Sequence, residues 1–377
     1  MLAYIWKKLN PNLILSIGSL ILLIFTLRYI TQFNVPVVIH DEFGYWANAA
    51  FFAGKDWSGV SSLSPYYSYG YSLILTPLFY IFKNPTMMYK VAIILNMLFN
   101  ILALFISYRC ICLLLKKDEC KFIAFSCLIT SLYGSTLLNI FITWCEPLLY
   151  LMYWISIYFI INLKKRNVKY YIGYAIVLTS MYIIHQRTIG IFICGISIIW
   201  LLAILKYTDR ECIIFFTITI ILCLFIHILI KRNITDALWN NYITNYVENA
   251  NNYQGQLNKI IDLTKNFKGI FKVIRGFFSR YFYLIISTGS VIFYGFLQII
   301  RKMLKLHWKI SNIYVEIYLV LCLFVTVLIS SIYFYKAERL DTVLYGRYSE
   351  FTIAPIMILG FVLLKNMIFN KKHVILK

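Results

Sequence analysis

Long apolar runs separated by short polar intervals set the pattern of this chain. Ten of them, at 13–30, 87–115, 122–142, 147–163, 170–186, 188–205, 211–230, 281–300, 312–333 and 351–369, are long and apolar enough to read as membrane-crossing helices. One further run, 70–82, is shorter. At roughly 13 residues it makes about 20 Å of helix against a hydrocarbon core of about 30 Å. It also contains Pro77 and is followed by a turn sequence, Lys83-Asn84-Pro85. The pattern predicts an all-α polytopic membrane protein of about ten transmembrane helices, plus a membrane-plane helix after span one that does not cross.

The basic residues set the expected orientation. If 70–82 does not cross, Lys7-Lys8, Lys116-Lys117, Lys121, Lys164-Lys165-Arg166, Lys206 with Arg210, Arg301-Lys302 with Lys305 and Lys309, and Lys371-Lys372 all fall on one side. That is the positive-inside distribution, and a crossing at 70–82 would move the later clusters outside. Both termini are then expected in the cytoplasm. The first apolar run lacks a signal-type cleavage site and reads as a retained span. The absence of eukaryotic retention signals suits a bacterial plasma membrane.

Composition agrees with the pattern. The chain is 61% hydrophobic and 14% charged, with a mean hydropathy of +0.75, too little polar sequence to cover a water-soluble surface. The formal charge of +21 raises nucleic acid as a partner. Its division into short clusters between apolar runs excludes that reading, because no basic domain is left to make a footprint. The nine cysteines lie mostly inside apolar runs and define neither a zinc motif nor a disulfide framework.

Acidic residues are scarce, 15 in all, and two stand side by side after the first span, in His40-Asp41-Glu42-Phe43-Gly44-Tyr45-Trp46. Holding helices together does not require such a pair. It runs on toward Tyr66-Tyr67-Ser68-Tyr69-Gly70-Tyr71. With the expected topology, Glu146 in Thr143-Trp144-Cys145-Glu146-Pro147, the turn His185-Gln186-Arg187, and Tyr345-Gly346-Arg347-Tyr348-Ser349-Glu350 share that outer face. Carboxylates, arginines and aromatic rings on one membrane surface suit attack of a hydroxyl on a sugar carried by a lipid phosphate. Asp41 would take the acceptor proton as general base. Arg347 and Arg187 would hold the leaving phosphate through paired donors. Tyr45, Tyr67, Tyr69 and Tyr348 would stack on or hydrogen-bond sugar, with His40, His185 and Glu146 beside them. Each residue has a simpler role open to it. The acids can cap a helix at Phe43 onward, Arg187 can anchor at the interface, Arg347 can pair with Glu350 at helical spacing, and the tyrosines can form an aromatic belt.

These residues resemble the GT-C class of polyprenyl-phosphate-sugar-dependent glycosyltransferases, among them protein mannosyltransferases and the aminoarabinose transferases of lipid A. The shared features are the acidic pair after span one, the small-residue stretch Ala47 to Ala50, the short helix at 70–82, the second acid Glu146, and Arg347-Tyr348 with Pro355. The chain departs from the class in two places. Tyr69-Gly70-Tyr71-Ser72 stands where a His-Pro-Pro-Leu type element is usual, and there is no soluble outer domain. The resemblance implies Asp41 as base, with Glu42 or Glu146 orienting it, and a lipid-linked sugar donor entering from the bilayer. A divalent ion, Mg²⁺ or Mn²⁺, held by Asp41 and Glu146 is compatible with it and not required. The acceptor would be an envelope glycan, lipid or protein. Residues 1–230 would form the shared transmembrane module with its catalytic first outer loop at 31–86. Residues 231–377 would form a variable module with a long outer loop, 231–280, and three C-terminal spans. Competing readings are a cell-envelope polysaccharide polymerase or ligase, a lipid-linked glycan transporter, and a non-enzymatic membrane scaffold.

Overall fold

A computed structural model describes residues 10–35, 40–61, 67–115, 120–239, 260–265, 267–304, 313–336 and 340–369. Among these the chain is helical throughout, with no strand. In chain order the helices are α1 (Pro11–Ile30), α2 (His40–Phe52), α3 (Ser58–Ser61), α4 (Gly70–Ile81), α5 (Pro85–Leu115), α6 (Lys121–Ser131), α7 (Gly134–Ile140) and α8 (Glu146–Asn162). They continue with α9 (Val168–Ile184), α10 (Ile189–Ile204), α11 (Arg210–Ile234), α12 (Phe267–Ser287), α13 (Val291–Leu304), α14 (Ile313–Tyr333) and α15 (Ala354–Phe369).

Six of these segments are long and apolar enough to cross a membrane, and up to eight if each of two bent pairs counts as one span. Their surfaces say the same as their lengths. On α1 one face buries Ile14, Leu15, Leu22 and Thr26, while Leu20, Ile24 and Leu27 stand exposed. On α11, Ile214, Ile218, Ile221, Leu222 and Phe225 are all exposed. A continuous apolar sheath on this scale is foreign to a water-soluble protein and natural against lipid tails.

The predicted short helix at 70–82 is α4, and it packs against α2. Two predicted spans differ from the structure. The run 122–142 is split into α6 and α7, bent by 58°. Just before the break, Thr130 and Ser131 turn their hydroxyls back onto the carbonyls of Ser126, Cys127 and Leu128, which loosens the helical ladder. The run 281–300 is broken too. Helix α12 begins at Phe267, well inside the expected loop, and ends at Ser287. There Thr288-Gly289-Ser290 reverses the chain, with φ of 57° at Gly289 and 64° at Ser290, and α13 leaves at 107°. The early start of α12 was hidden by Lys268, Lys272 and Arg275, which line exposed positions without interrupting the helix. The module boundary read at 230 falls inside α11, which continues through Lys231 and Arg232 into a π-turn at Thr235–Trp239. One continuous core joins both parts, from Ile14 of α1 to Val362 of α15.

The two ends of the bundle differ chemically. At one end Lys164 lies over the rings of Tyr207 and Tyr314, and Arg166 pairs with Asp209. Lys302 pairs with Glu316, and Lys365 lies over Phe122. At the other end the helix termini bring together α2, the starts of α8 and α10, and the loop before α15. Arg280 of α12 helps hold that loop. Its buried guanidinium donates to the carbonyls of Gly276 and Thr342 and to the Ser331 hydroxyl.

Candidate functional site

The acidic pair lies on a helix rather than a loop, so its two members point in directions about 100° apart. Glu42 turns inward and is fully buried. Its Oε1 accepts from the Thr143 N–H at 2.6 Å, the Thr143 hydroxyl at 2.7 Å and the Tyr89 hydroxyl at 3.0 Å. Burial pushes its carboxyl above the ordinary glutamate value, and the bonds from Thr143 and Tyr89 pull the other way. These bonds clasp α2 to α5 and to the segment before α8, so the structure gives Glu42 a holding role beside Asp41.

Asp41 keeps access to solvent, with 31% of its side chain exposed. Its Oδ1 accepts from the Tyr67 hydroxyl at 3.1 Å, and its Oδ2 lies 2.7 Å from Nη1 of Arg347. The same guanidinium donates through Nε to Oε1 of Glu146, and Arg187 donates to that oxygen through Nη2 at 3.0 Å. Four charges therefore run in sequence: Asp41, Arg347, Glu146, Arg187. The Glu146 side chain is 2% exposed and the Arg187 side chain 5%, so the inner members are nearly dry. Burial opposes the charge on Arg347, but Glu146 and Asp41 hold it well above the ordinary arginine value and it stays a cation. Aromatic faces finish the frame. The Arg347 guanidinium carbon lies 3.6 Å from the Trp144 ring centroid, and that of Arg187 lies 4.6 Å from Tyr348. Nη2 of Arg347 and Nε and Nη1 of Arg187 are buried without a protein partner.

The other expected site residues divide. Tyr67 belongs to the cluster. Its ring lies on Gly44, where a Cβ would stand 2.2 Å from it, so only glycine at 44 admits the hydroxyl to Asp41. Tyr348 belongs as well, through Arg187. His185 is half-buried beside it, and its Nδ1 accepts from the Arg187 backbone N–H at 3.2 Å. Burial, then the Arg187 cation, hold His185 well below the ordinary histidine value, so it is neutral at pH 7. Tyr45 and Tyr69 are not open to a ligand, contrary to expectation. Tyr45 is 1% exposed and donates to the Cys145 sulfur at 3.0 Å; Tyr69 is 1% exposed and hydrogen-bonds Nδ1 of His227 at 3.1 Å. Tyr45 packs in the main core, and Tyr69, just before α4, packs with Ala47, Ile234, Leu238 and Trp239. His40 starts α2, but its side chain lies outside the described residues, as do Tyr66, Arg339 and the Asn249 to Asn258 stretch. The local pairing of Arg347 with Glu350 is not made. Glu350 instead accepts from the hydroxyls of Ser135 and Tyr283.

The metal expectation fits poorly. Among the described residues no three His, Cys, Asp or Glu side chains gather, and a guanidinium already stands between Asp41 and Glu146. Several participants were not singled out from sequence. Thr143, Trp144 and Tyr89 frame the acids. Asn96, inside α5, donates to the carbonyls of Ile140 and Ile142 and accepts from Tyr71. Two asparagines one turn apart within a membrane-length apolar helix were the signal available for that region. No family model, curated protein or solved structure matches the chain.

Proposed function

We propose that the protein is a membrane glycosyltransferase of GT-C type, moving a sugar from a polyprenyl-phosphate donor to an envelope glycan, lipid or protein acceptor. The observation that carries this reading is the Arg347 guanidinium bridging Asp41 and Glu146, with Arg187 alongside and three arginine nitrogens lacking protein partners. A buried donor left unpartnered costs about 1–3 kcal/mol. Three of them on two cations make a site that gains by receiving an oxyanion such as a phosphate. Of the two carboxylates in this row, Asp41 is the one with solvent access, so it is the one an acceptor hydroxyl can reach.

In the reaction, Asp41 takes the hydroxyl proton as the acceptor oxygen bonds the anomeric carbon. The bond from that carbon to the phosphate oxygen breaks, and its electron pair leaves with the lipid phosphate. Arg347 and Arg187 neutralise the charge that develops there. Direct displacement of this kind inverts the anomeric centre. No step is routed through a metal.

The proposed topology has ten crossings. The six long segments, the two bent pairs, and the shorter helices α9 and α15 cross; α4, about 18 Å long, lies near the surface. The charged cluster then faces the outside of a plasma membrane, the basic clusters face the cytoplasm as the positive-inside distribution asks, and both termini are inside.

The two bent helix pairs favour a second reading, a lipid-linked glycan transporter, because broken helices accompany transport sites. One experiment separates them: transfer of labelled sugar from polyprenyl-phosphate donors in membranes, wild type beside Asp41→Asn. Transfer by wild type alone supports both reaction and base. Transfer by both keeps the reaction and removes Asp41 as base. Transfer by neither, together with movement of lipid-linked glycan across vesicles, replaces the enzyme with the transporter.

A further inference from the structure

Helix α12 carries three stripes along its length. At about 100° per residue, Gly269, Val273, Gly276, Arg280 and Leu284 share one face, and it is the buried one. Val273 packs with Leu263 and Tyr335, beside Leu328 and Ile332 of α14, and Arg280 donates to Ser331. Phe267, Phe271, Ile274 and Phe278 form a second stripe on the far side of the helix, where Phe271 is 66% and Phe278 67% exposed. Between the two lie Lys268, Lys272 and Arg275, all exposed. These cations share one ridge, Lys268 and Lys272 at i,i+4 and Lys272 and Arg275 at i,i+3, where like charges repel. Helix α12 contains no acidic residue, and the nearby Asp262 is taken by Lys336. Among the described residues no carboxylate pairs with any of the three. Orientation does not account for them either. In the expected topology they lie on the outer side, which the positive-inside distribution leaves poor in basic residues.

The position of α12 narrows the partner. Helix α13 packs against α15 backbone to backbone. A Cβ at Gly295 would stand 2.0 Å from the Ile356 carbonyl oxygen, and one at Gly360 would stand 2.1 Å from that of Val291. With α13 crossing beside α15, the 107° bend sets α12 close to the bilayer plane. It lies at the end of the bundle that holds Arg347, because its buried face meets the last turns of α14, where Tyr333 touches Tyr348. An in-plane helix with rings on one side and cations next to them is built for the interface, rings at the acyl boundary and cations at headgroup level. A soluble anion would pair the cations and leave the phenylalanines in water. A lipid without net charge would cover the rings without neutralising the cations. We propose that α12 binds the phosphates of anionic phospholipids in the outer leaflet through Lys268, Lys272 and Arg275, with Phe267, Phe271 and Phe278 against their chains. The inference uses the membrane position of α12 and nothing of the transfer reaction.

The test is hydrogen–deuterium exchange of the full chain in nanodiscs, read on the peptides from α12 so that basic clusters elsewhere do not contribute. Discs of phosphatidylcholine are compared with discs in which phosphatidylglycerol replaces part of it. Each cation near an anionic surface contributes about a fivefold factor in binding, so exchange in wild type is expected to slow about tenfold or more when phosphatidylglycerol is present. Asp41→Asn, which lacks the proposed base, should respond as wild type does. The combination Lys268→Gln, Lys272→Gln and Arg275→Gln should lose the response, and Lys268→Arg, Lys272→Arg and Arg275→Lys together should keep it. Thermal unfolding identifies a variant that has lost its fold; should the triple replacement do so, Lys268→Gln with Lys272→Gln carries the test. Equal exchange of wild type in the two lipids overturns the proposal, as does a full response in the folded neutralised variant. Equal slowing by glycerol 3-phosphate added to phosphatidylcholine discs would assign the cations to a soluble anion and overturn the lipid. Absence of sugar transfer beside an intact exchange response would remove the enzymatic reading alone.

Discussion

Arg347 donates through Nε to a Glu146 carboxylate that lies 201 positions earlier in the chain and is 2% exposed. Arg187 reaches the same oxygen. One carboxylate thus serves two cations, and its removal leaves both without their buried partner. Breaking a buried pair from one side costs about 3–5 kcal/mol. Glu146→Gln is therefore expected to lower the unfolding midpoint in detergent clearly, and to abolish transfer in the molecules that remain folded. An unchanged midpoint would show that the two arginines are held by other means.

Asp41→Asn keeps shape and the Tyr67 hydrogen bond but removes the proton acceptor. Transfer should fall by about 10²–10⁴-fold, with expression and unfolding midpoint close to wild type. Near-normal turnover per folded molecule would remove Asp41 from the chemistry.

Arg347→Lys keeps the charge and loses the planar fork that reaches Asp41 and Glu146 at once. A fall in turnover on the order of 10²-fold or more is expected, read as kcat in the membrane assay. An unchanged rate would place the phosphate elsewhere.

Glu42 should behave unlike its neighbour. Glu42→Gln is expected to lower stability by about 1–3 kcal/mol while transfer per folded molecule survives. Its carboxyl is raised in the folded state, so its contribution is fully present below the ordinary glutamate value of 4.5 and is lost as pH rises through the folded value. The stability gap between wild type and Glu42→Gln should accordingly narrow as pH rises from about 4. A gap that widens with pH would contradict the buried clasp.

His185 gives the opposite slope. Its folded value lies below the ordinary 6.5, so the unfolded chain binds more protons and stability falls as pH drops through that range. His185→Gln, which still offers an acceptor to the Arg187 N–H, should flatten the fall in unfolding midpoint between about pH 7 and pH 5. An unchanged slope would assign it to other groups.

Hydrophobic patterning made the helical membrane architecture legible, down to the short helix α4, because length and apolarity alone decide what lipid accepts. It failed at Thr288-Gly289-Ser290 and at Thr130-Ser131, where hydroxyl-to-backbone bonds and left-handed residues bend an apolar run without making it polar. The charged site was legible as a set of rare residues: Asp41, Glu146, Arg187 and Arg347 meet as expected. What adjacency could not give was direction. Asp41 and Glu42 sit on one helix and part company, one toward Arg347 and one into the core. Tyr45 and Tyr69 were read as open because tyrosine suits both a sugar and a buried hydrogen bond, and only packing distinguishes those uses. Ser135 and Glu350 meet across 215 positions, a pairing that no local spacing records.

The charged row is assembled from α2, the start of α8, the turn before α10 and the loop before α15, the first and last of which lie near opposite ends of the sequence. During synthesis the N-terminal helices enter the bilayer long before Arg347 leaves the ribosome. A nascent chain therefore carries Asp41 for most of its elongation without the cation that pairs with it. On the transfer reading, the charged row is complete only after that last loop is inserted, and a chain cut short before it is expected to transfer nothing.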